Sequence, residues 1–304
     1  MRLLITGASG LIGGRLVAAL AADGIAVRAA SRIARPWPAG VEGIVWDAAD
    51  VATTARACAG VDAVVNLAGM PEAACAADPT GALVANCGGT LSLVTAAVGV
   101  GRFVQISTAK VYGNDATGTV SEQSVPRPAS HYAITHRASE DYAALHPSAV
   151  VMRLANGFGM PAPGTANGWD VIVNDFCRQA VIARRIAIRS DGTASRNFVP
   201  MEDVITAIRA AAGGLAPGTY NLGSAASMTL REMAERVASA GEQVLGHPVA
   251  VSVGAPDAGR PAARLDFRSN RLGEAGVTLG ADADKEIART LMAARETFAK
   301  RSHG

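Results

Sequence analysis

Short apolar runs alternate with alanine- and leucine-rich stretches along the first half of the chain. The runs occupy residues 3–5, 25–27, 43–46, 63–66, 103–106 and 150–152. They are nearly continuous in apolar residues, and the stretches between them are long enough for helices. Strands that alternate with helices in this way are typical of a parallel sheet covered on both faces. The pattern predicts an α/β fold built on a doubly wound parallel sheet.

The pattern changes after residue 156. Loops rich in Pro, Gly and Asn follow, with a helix predicted around residues 171–184 and shorter mixed segments beyond it. We therefore predict that residues 1–156, with a returning segment near 196–212, form the sheet domain. Residues 157–304 are predicted to form mostly a smaller, partly interleaved α/β lobe. Ligands of open α/β sheets bind beyond the carboxyl ends of the strands, so this lobe is expected to cover that edge and to bind substrate.

Composition narrows the class of protein. Of 304 residues, 49% are hydrophobic and 18% are charged, which predicts a folded globular chain. A net charge of +2 without a basic block argues against a nucleic-acid partner. The lack of a leader-like segment and of an apolar run of bilayer length predicts a soluble, cytoplasmic protein with no membrane partner. The four cysteines lack zinc-ligand spacing, so we predict buried thiols and no metal.

The first predicted strand runs directly into a glycine-rich loop, residues 6–13, with the spacing GxxGxxG. Gly7 permits a tight turn, Gly10 lets backbone amides approach a phosphate, and Gly13 lets the next helix pack close to the sheet. At the start of a strand–helix–strand pattern, this loop predicts a Rossmann-type site for the pyrophosphate of a dinucleotide. The expected contacts are Thr6, Gly7, Ser9, Gly10, Leu11, Ile12 and Gly13.

The end of the second strand bears on the choice of cofactor. An acidic residue there would bond the ribose 2′-hydroxyl of NAD, whereas basic residues accommodate the 2′-phosphate of NADP. This chain has Ser31, Arg32 and Arg35 and no carboxylate, so NADP is favoured over NAD, unless Arg32 is a solvated surface residue. Asp47 is either a partner for the adenine amino group or an exposed loop residue.

Two segments in the middle of the chain carry candidate catalytic side chains. Residues 107–113 read STAKVYG after the fifth strand, and residues 132–136 read YAITH. Together with the glycine loop, they resemble the extended short-chain dehydrogenase/reductase family, the group of nucleotide-sugar epimerases, dehydratases and 4-keto-sugar reductases. The resemblance covers nearly the whole chain. It implies that Thr108 and Tyr132 flank the reacting C–O bond, with Tyr132 as general acid/base. It also implies cofactor contacts from Leu67, Ala68, Gly69, Asn86 and Ser107.

The chain departs from this family at two positions. His136 stands where the family has a lysine that holds the nicotinamide ribose and lowers the pKa of the tyrosine. An imidazole can bond the ribose but is expected to titrate near neutrality, so we predict weaker, more pH-dependent activation. Ala109 and Lys110 replace the Asp-Glu pair of 4,6-dehydratases, which argues against that reaction. Lys110 either faces the substrate or is solvated.

The resemblance also implies a nucleoside-diphosphate sugar as substrate. Asn156 matches a contact to the sugar diphosphate, Asn174 a residue of the nucleotide pocket, and Arg196 and Arg260 the arginines that bind the two phosphates. An epimerase is the first reading and a 4-keto-sugar reductase the second. An NADPH-dependent reductase of a non-sugar ketone and a non-catalytic dinucleotide sensor remain as alternatives. Alanine-rich helices around residues 86–98 and 132–145 predict a homodimer, as in this family.

Overall fold

The computed structural model describes residues 1–165, 168–255 and 264–298. Its strands are β1 (Arg2–Thr6), β2 (Ala26–Ser31), β3 (Val41–Val45), β4 (Ala63–Asn66), β5 (Arg102–Thr108), β6 (Gly118–Val120), β7 (Ala149–Leu154), β8 (Asn156–Phe158), β9 (Arg185–Ile188), β10 (Ser195–Pro200), β11 (Gly218–Leu222), β12 (Ser227–Thr229), β13 (Ala250–Val253) and β14 (Leu265–Phe267). Its α-helices are α1 (Leu11–Ala22), α2 (Val51–Cys58), α3 (Glu72–Ala77), α4 (Pro79–Ala82), α5 (Gly89–Ala96), α6 (His131–Ala143), α7 (Ile172–Ala183), α8 (Met201–Gly213), α9 (Leu230–Leu245), α10 (Asn270–Glu274) and α11 (Ala283–Phe298). A π-helical segment (Leu83–Gly88) joins α4 to α5, and a 3-10 turn (Ala109–Tyr112) follows β5.

The predicted α/β fold is confirmed. Seven strands form one sheet in the order β11-β7-β5-β4-β1-β2-β3, and each pair of neighbours is parallel. The order reverses at β1, so the crevice between β1 and β4 opens at the carboxyl ends of the strands. In open α/β sheets this crevice receives the ligand.

Both faces of the large sheet are buried, which explains the continuous apolar runs. Along β1, Leu3 and Ile5 join one core cluster with α1 and α8, and Leu4 joins another with α2, α5 and α6. Successive side chains of a strand point to opposite faces, so a strand covered on both sides needs apolar residues at every position.

The second half of the chain contributes to both parts of the molecule. Helix α8 packs against α1 and the large sheet, and β11 extends that sheet beside β7. Three small sheets pair β12-β10-β8, β13-β9 and β14-β6. A separate apolar core lies between α7, α9 and α11. The sequence predicts that the segment near 196–212 returns to the sheet domain, but this segment ends before β11, which also belongs to the large sheet. The division of the chain at residue 156 remains a proposal.

Within the described residues, no helix combines the length and the apolar character needed to span a membrane. All four cysteines, Cys58, Cys75, Cys87 and Cys177, are free and buried.

Candidate active site

The glycine loop joins β1 to α1 in a turn that two of its glycines make possible. Gly7 has φ +61°, and a Cβ there would lie 2.5 Å from the carbonyl oxygen of Leu67. A Cβ on Gly13 would lie 2.3 Å from the carbonyl oxygen of Gly7, so the helix approaches the loop as closely as a glycine allows. Gly10 precedes α1 without any side-chain cap on the first turn of the helix. The amides of that turn are therefore available to an anion.

The other predicted cofactor contacts near the glycine loop lie in the loop after β4 and at the end of β1. Leu67, Ala68 and Gly69 follow β4 next to the glycine loop, as expected. The Thr6 hydroxyl, by contrast, donates to Asn66 Oδ1 at 2.6 Å and is fully buried. Thr6 therefore ties β1 to β4 through its side chain, and a ligand would meet only the loop that follows it.

At the end of β2, one of the predicted side chains is exposed. Arg32 is exposed, whereas the Ser31 hydroxyl donates to the Ile33 carbonyl at 2.8 Å. Arg35 Nη2 donates to the Gly164 carbonyl at 2.8 Å, and its guanidinium stacks 4.9 Å from the Trp37 ring centroid. Asp47 is exposed and accepts from the Ala49 amide at 3.0 Å, in a local turn. Of the two arginines expected to accommodate a 2′-phosphate, Arg32 is therefore exposed, whereas Arg35 is held by the Gly164 carbonyl and the Trp37 ring.

Thr108 and Tyr132 meet at the carboxyl end of β5. Thr108 is the last residue of that strand, and the Ser130 hydroxyl caps the helix that carries Tyr132. Thr108 interacts with the Tyr132 hydroxyl and favours its ionisation, and the half-buried Tyr132 has its hydroxyl end desolvated. That burial raises the pKa of Tyr132 to about 12, Thr108 opposes the rise, and Glu72 and Cys75 add to it. The pair predicted from the sequence is therefore assembled, with the phenol strongly protonated.

His136 lies one helical turn after Tyr132, with its ring edge-on to the phenol at a centroid distance of 4.4 Å. It is buried, and its Nδ1 has no hydrogen-bond partner. Burial lowers the pKa of His136 to about 4, because the charged ring would lose its hydration. The near-neutral titration expected from the sequence is therefore wrong for this site, and the imidazole is neutral at pH values near 7. A Cβ on Gly69 would lie 3.8 Å from His136 Nε2, which places the imidazole beside the loop after β4.

Two predicted cofactor contacts use their side chains inside the protein. Asn86 accepts from the Met70 amide at 2.7 Å and donates to the Thr135 hydroxyl at 2.9 Å, so it joins the loop after β4 to α6. The Ser107 hydroxyl donates to Glu140 Oε1 at 2.6 Å. These side chains are engaged inside the protein, and a cofactor contact from either residue remains a proposal.

Glu140 belongs to a buried polar network that sequence reasoning missed. It forms an ion pair with Arg153 at 2.7 Å, and Arg153 donates to the Tyr112 hydroxyl at 2.9 Å. The Tyr112 hydroxyl in turn donates to Asn221 at 2.7 Å. The network ties α6 to β5, β7 and β11 below Thr108. Its members lie far apart in sequence, and no local pattern links them.

On the substrate side, the predicted residues are more engaged than expected. Asn156 donates to the Asn197 carbonyl at 2.9 Å. Asn174 is fully buried and bonds the Gly159 amide, the Gly159 carbonyl and the Gly168 carbonyl, so it holds a loop and both of its donor hydrogens are used within the protein. Arg196 is partly exposed, with Nη2 3.8 Å from Asp115. Arg260 lies outside the described residues.

A cavity of about 310 Å³ opens beside Tyr132. It is lined by Glu72, Ala76, Ala129, Ser130, His131, Tyr132 and Ile134. Lys110 forms an ion pair with Glu72, and its Nζ lies 6.0 Å from the centroid of the Tyr132 ring. The sequence left Lys110 open between substrate and solvent, and it gave no sign of Glu72, which stands 38 residues away. In the described parts of the chain, no group of three or more His, Cys, Asp or Glu side chains is placed to hold a metal ion.

Known proteins are similar to this chain in sequence or in structure. The GDP-6-deoxy-D-mannose reductase of Pseudomonas aeruginosa is 32% identical over 192 residues, which cover 58% of this chain and 62% of that relative. MoeE5, solved in complex with UDP-glucose and NAD, is 26% identical with a TM-score of 0.81, over 98% of this chain and 99% of its own. The UDP-glucose 4-epimerase of Thermus thermophilus, solved with NAD, is 25% identical with a TM-score of 0.81, over 97% and 99%.

The sequence profile of the NAD dependent epimerase/dehydratase family matches residues 3–223, from the first strand of the large sheet to its last. That range includes the glycine loop, Thr108, Tyr132 and the buried network beneath them. The resemblance inferred from the motifs is confirmed: the chain belongs to the NAD dependent epimerase/dehydratase family, within the extended short-chain dehydrogenases/reductases.

Proposed function

We propose that the protein is an NAD(P)-dependent enzyme that acts at a carbinol centre of a nucleoside-diphosphate sugar, with Tyr132 as general acid/base. The observation that carries the proposal is the placement of Thr108 and Tyr132 next to each other at the carboxyl end of β5. This pair lies at the edge of the sheet where the glycine loop and the loop after β4 also end. The relatives support the substrate class, since they act on GDP- and UDP-sugars or bind UDP-glucose.

The residues present fit a dinucleotide. The uncapped first turn of α1 offers amides to a pyrophosphate, and Gly7 and Gly13 keep side chains out of the turn. Buried His136, with its unpartnered Nδ1, offers a neutral hydrogen-bonding group next to Tyr132. When bound, the nicotinamide supplies the hydride acceptor or donor.

The chain's own part in the reaction is proton transfer and orientation. Thr108 would hold the sugar hydroxyl by a hydrogen bond, and the Tyr132 phenolate would take its proton as the carbinol hydrogen leaves as hydride. In the reverse direction the Tyr132 phenol returns the proton to the carbonyl oxygen. The Glu140–Arg153 network fixes β5 and α6 relative to each other, so that these two hydroxyls stay in register.

Epimerisation is the first proposal and reduction of a 4-keto sugar the second. An epimerase keeps its cofactor and restores it in each cycle, whereas a reductase consumes NAD(P)H in proportion to product. The direct test incubates the purified protein with UDP- and GDP-sugars and follows sugar configuration by NMR without added cofactor. Isomerised sugar supports the epimerase, and a requirement for stoichiometric NADPH supports the reductase. Loss of neither sugar nor NADPH with any nucleotide sugar contradicts both.

A reductase of non-sugar ketones is separated by competition. Free UDP or GDP should inhibit a nucleotide-sugar enzyme, because its site binds the diphosphate with charged donors such as Arg196. Ketone reduction that is indifferent to both nucleotides would overturn the sugar proposal.

For the cofactor, NADP is the finer proposal, on the strength of exposed Arg32 at the end of β2. NAD in MoeE5 and in the Thermus thermophilus epimerase supports the alternative. We expect Arg32→Ala to weaken NADPH binding roughly tenfold or more while NADH binding is unchanged, because a charge-assisted bond to the 2′-phosphate is lost. Titration of both dinucleotides against the two proteins measures this, and tighter binding of NADH than of NADPH by the unmodified protein would assign NAD.

A further inference from the structure

A buried tyrosine that exchanges protons near neutral pH needs help to ionise. Burial raises the pKa of Tyr132 to about 12, above the ordinary value near 10 for a phenol. With Lys110 paired to Glu72, a phenolate is therefore scarce in this site, and a positive charge free to face the phenol would favour it. Any acid/base role of Tyr132 thus raises the question of which group supplies that charge.

The groups that face Tyr132 come from four elements. His136 on its own helix is neutral, because burial lowers its pKa to about 4. Thr108 at the end of β5 is a neutral group that favours ionisation, and Glu72 and Cys75 on α3 act against it. Lys110, on the 3-10 turn after β5, is the remaining one of these neighbours, and its ammonium lies 6.0 Å from the Tyr132 ring centroid.

Lys110 reaches this place because of the turn that carries it. Its backbone amide donates to the Thr108 hydroxyl oxygen at 3.2 Å. The turn that carries Lys110 is therefore anchored to Thr108, which lies next to Tyr132. The ammonium is held by Glu72, and both side chains remain partly exposed, 37% for Lys110 and 46% for Glu72. The pair is thus accessible to a ligand that enters the cavity, and Glu72 lines that cavity directly.

We propose that Lys110 is the cation that stabilises the Tyr132 phenolate during proton transfer, and that Glu72 sets the strength of this effect by pairing with the ammonium. Lys110 is then a positioning residue that acts through Tyr132. The inference rests on the proposed function only in taking Tyr132 as the acid/base. A unit charge about 6 Å away in a partly solvated site changes a proton equilibrium by roughly tenfold or more.

Lysine is rare in this chain, in which most basic residues are arginines. Lys110, Lys285 and Lys300 are the three lysines among 28 basic residues. An ammonium is a compact charge, whereas the delocalised guanidinium of arginine is spread over a fork. Lys110→Arg is therefore the conservative variant that keeps the charge, and Lys110→Met removes it while keeping much of the side-chain volume. Lys285 is exposed on α11, so Lys285→Met is the matched control.

The test is a spectroscopic titration of the protein without substrate, in which phenolate formation is followed by near-ultraviolet absorbance. Tyr132→Phe identifies the Tyr132 signal among the four tyrosines. We expect the pKa of Tyr132 to rise in Lys110→Met, to fall in Glu72→Gln and to stay nearly unchanged in Lys110→Arg and Lys285→Met. The opposite signs are decisive, since both Lys110→Met and Glu72→Gln break the same ion pair. A merely structural ion pair would move Tyr132 in the same direction in both variants, or not at all, and either result overturns the inference.

Turnover gives the second readout. Near pH 7, kcat should fall about tenfold in Lys110→Met, with the alkaline shift of its pH profile that a raised Tyr132 pKa requires. If Lys110→Met does not fold, Lys110→Gln replaces it, because Glu72→Gln alone lowers the Tyr132 pKa by removing the Glu72 charge. A Tyr132 pKa that is unchanged or lowered in Lys110→Gln overturns the inference. The proposed function fails separately, if Tyr132→Phe turns over as fast as the unmodified protein. An inactive Tyr132→Phe with no opposed shifts removes only the role of Lys110.

Discussion

His136 shows how burial changes the chemistry that a residue type suggests. In sequence it stands on the face of α6 that carries Tyr132, and an imidazole in that position suggests a group that titrates near neutral pH. In the structure it is 8% exposed, lies edge-on to Tyr132 and has an unpartnered Nδ1. A neutral ring can still accept or donate one hydrogen bond at each nitrogen. Its proposed contribution is therefore a hydrogen bond to the cofactor, with the charge near Tyr132 supplied by another residue.

This role predicts the effect of two substitutions. His136→Ala should lower turnover and weaken dinucleotide binding, because a buried hydrogen-bonding group beside the cofactor is lost. His136→Lys should retain turnover, since an ammonium in this position can both bond a ribose hydroxyl and stabilise a phenolate. Steady-state kinetics and dinucleotide titration measure both effects. If both variants equalled the unmodified protein in turnover and affinity, His136 would have no part in cofactor binding.

The lowered pKa of His136 also makes folding pH-dependent. At pH values between about 6.5 and 4, an unfolded chain protonates this histidine while the folded one does not, so the unfolded state binds more protons. The contribution of His136 to stability is thus present above pH 6.5 and is lost as the pH falls. Between about pH 7 and about pH 5 we expect His136→Gln to lose roughly 2 kcal/mol less unfolding free energy than the unmodified protein.

Urea unfolding at the two pH values measures this difference. His247→Gln is the control, because His247 lies between α9 and β13, away from the site, where its Nδ1 is near the Pro248 carbonyl at 3.1 Å. An equal loss of stability in His136→Gln and in the unmodified protein would mean that the buried ring titrates normally.

At the scale of elements, the junction between β1 and α1 makes a prediction that separates folding from binding. Gly13→Ala would drive a Cβ to 2.3 Å from a backbone oxygen, which cannot move without shifting the loop. We expect a loss of about 1–3 kcal/mol or more of stability, together with loss of dinucleotide binding. At Gly10 the nearest atom would be 3.3 Å away, so Gly10→Ala should fold with a smaller loss and mainly weaken binding.

Thermal unfolding and dinucleotide titration distinguish the two outcomes. Gly213→Ala, at the end of α8, is the control, because nothing lies within 4 Å of its added Cβ. It should be neutral or slightly stabilising, since alanine favours a helix over glycine. Gly13→Ala with unchanged stability would contradict the close approach of α1 to the loop.

Elements with strong periodicity were predictable, and long-range side-chain bonds were not. The strand prediction at 103–106 corresponds to β5, and the helix around 171–184 corresponds to α7, because their apolar patterns reflect burial directly. Thr108 and Tyr132 were proposed from motifs that resemble the family, and the structure places them at the end of β5 and the start of α6. The internal hydrogen bonds of Asn86 and Asn174 were not predicted, since no spacing rule identifies their partners. Lys110 and Glu72 meet only through the packing of α3 beside the turn after β5.

For the whole molecule, Glu286 links parts of the chain that are distant in sequence. This buried carboxylate on α11 pairs with Arg15 on α1 at 3.0 Å and accepts from the Met160 amide at 3.0 Å. A Cβ on Gly159 would lie 2.1 Å from Glu286 Oε1, so glycine at that position makes room for the carboxylate. The last helix thereby holds the loop after β8 against the helix that follows the glycine loop. Cofactor and substrate regions are in this way joined by one ionic contact.

The surface carries an unpartnered apolar face on two adjoining helical segments. The run from α4 through the π-helical segment to α5 packs beside α6, and exposed apolar side chains stand on both. They are Leu83 (53%), Val84 (49%), Leu91 (39%) and Ile134 (51%), with Leu145 (69%) just beyond α6. Exposed apolar side chains gathered on neighbouring helices are typical of an interface, and a second copy of the chain would pair this face with itself about a twofold axis.

We therefore expect a homodimer that Val84→Asp together with Ile134→Asp converts to a monomer, because paired interfaces would bring four buried carboxylates together. Light scattering coupled to size-exclusion chromatography measures the mass over a range of concentrations. Val125→Asp is the control, since Val125 is 72% exposed on a loop outside both helical segments and should leave the mass unchanged. A monomeric unmodified protein would contradict the dimer. A dimer that survives the double substitution would move the interface to another face, away from the helix that carries Tyr132, and would free α6 from any role in assembly.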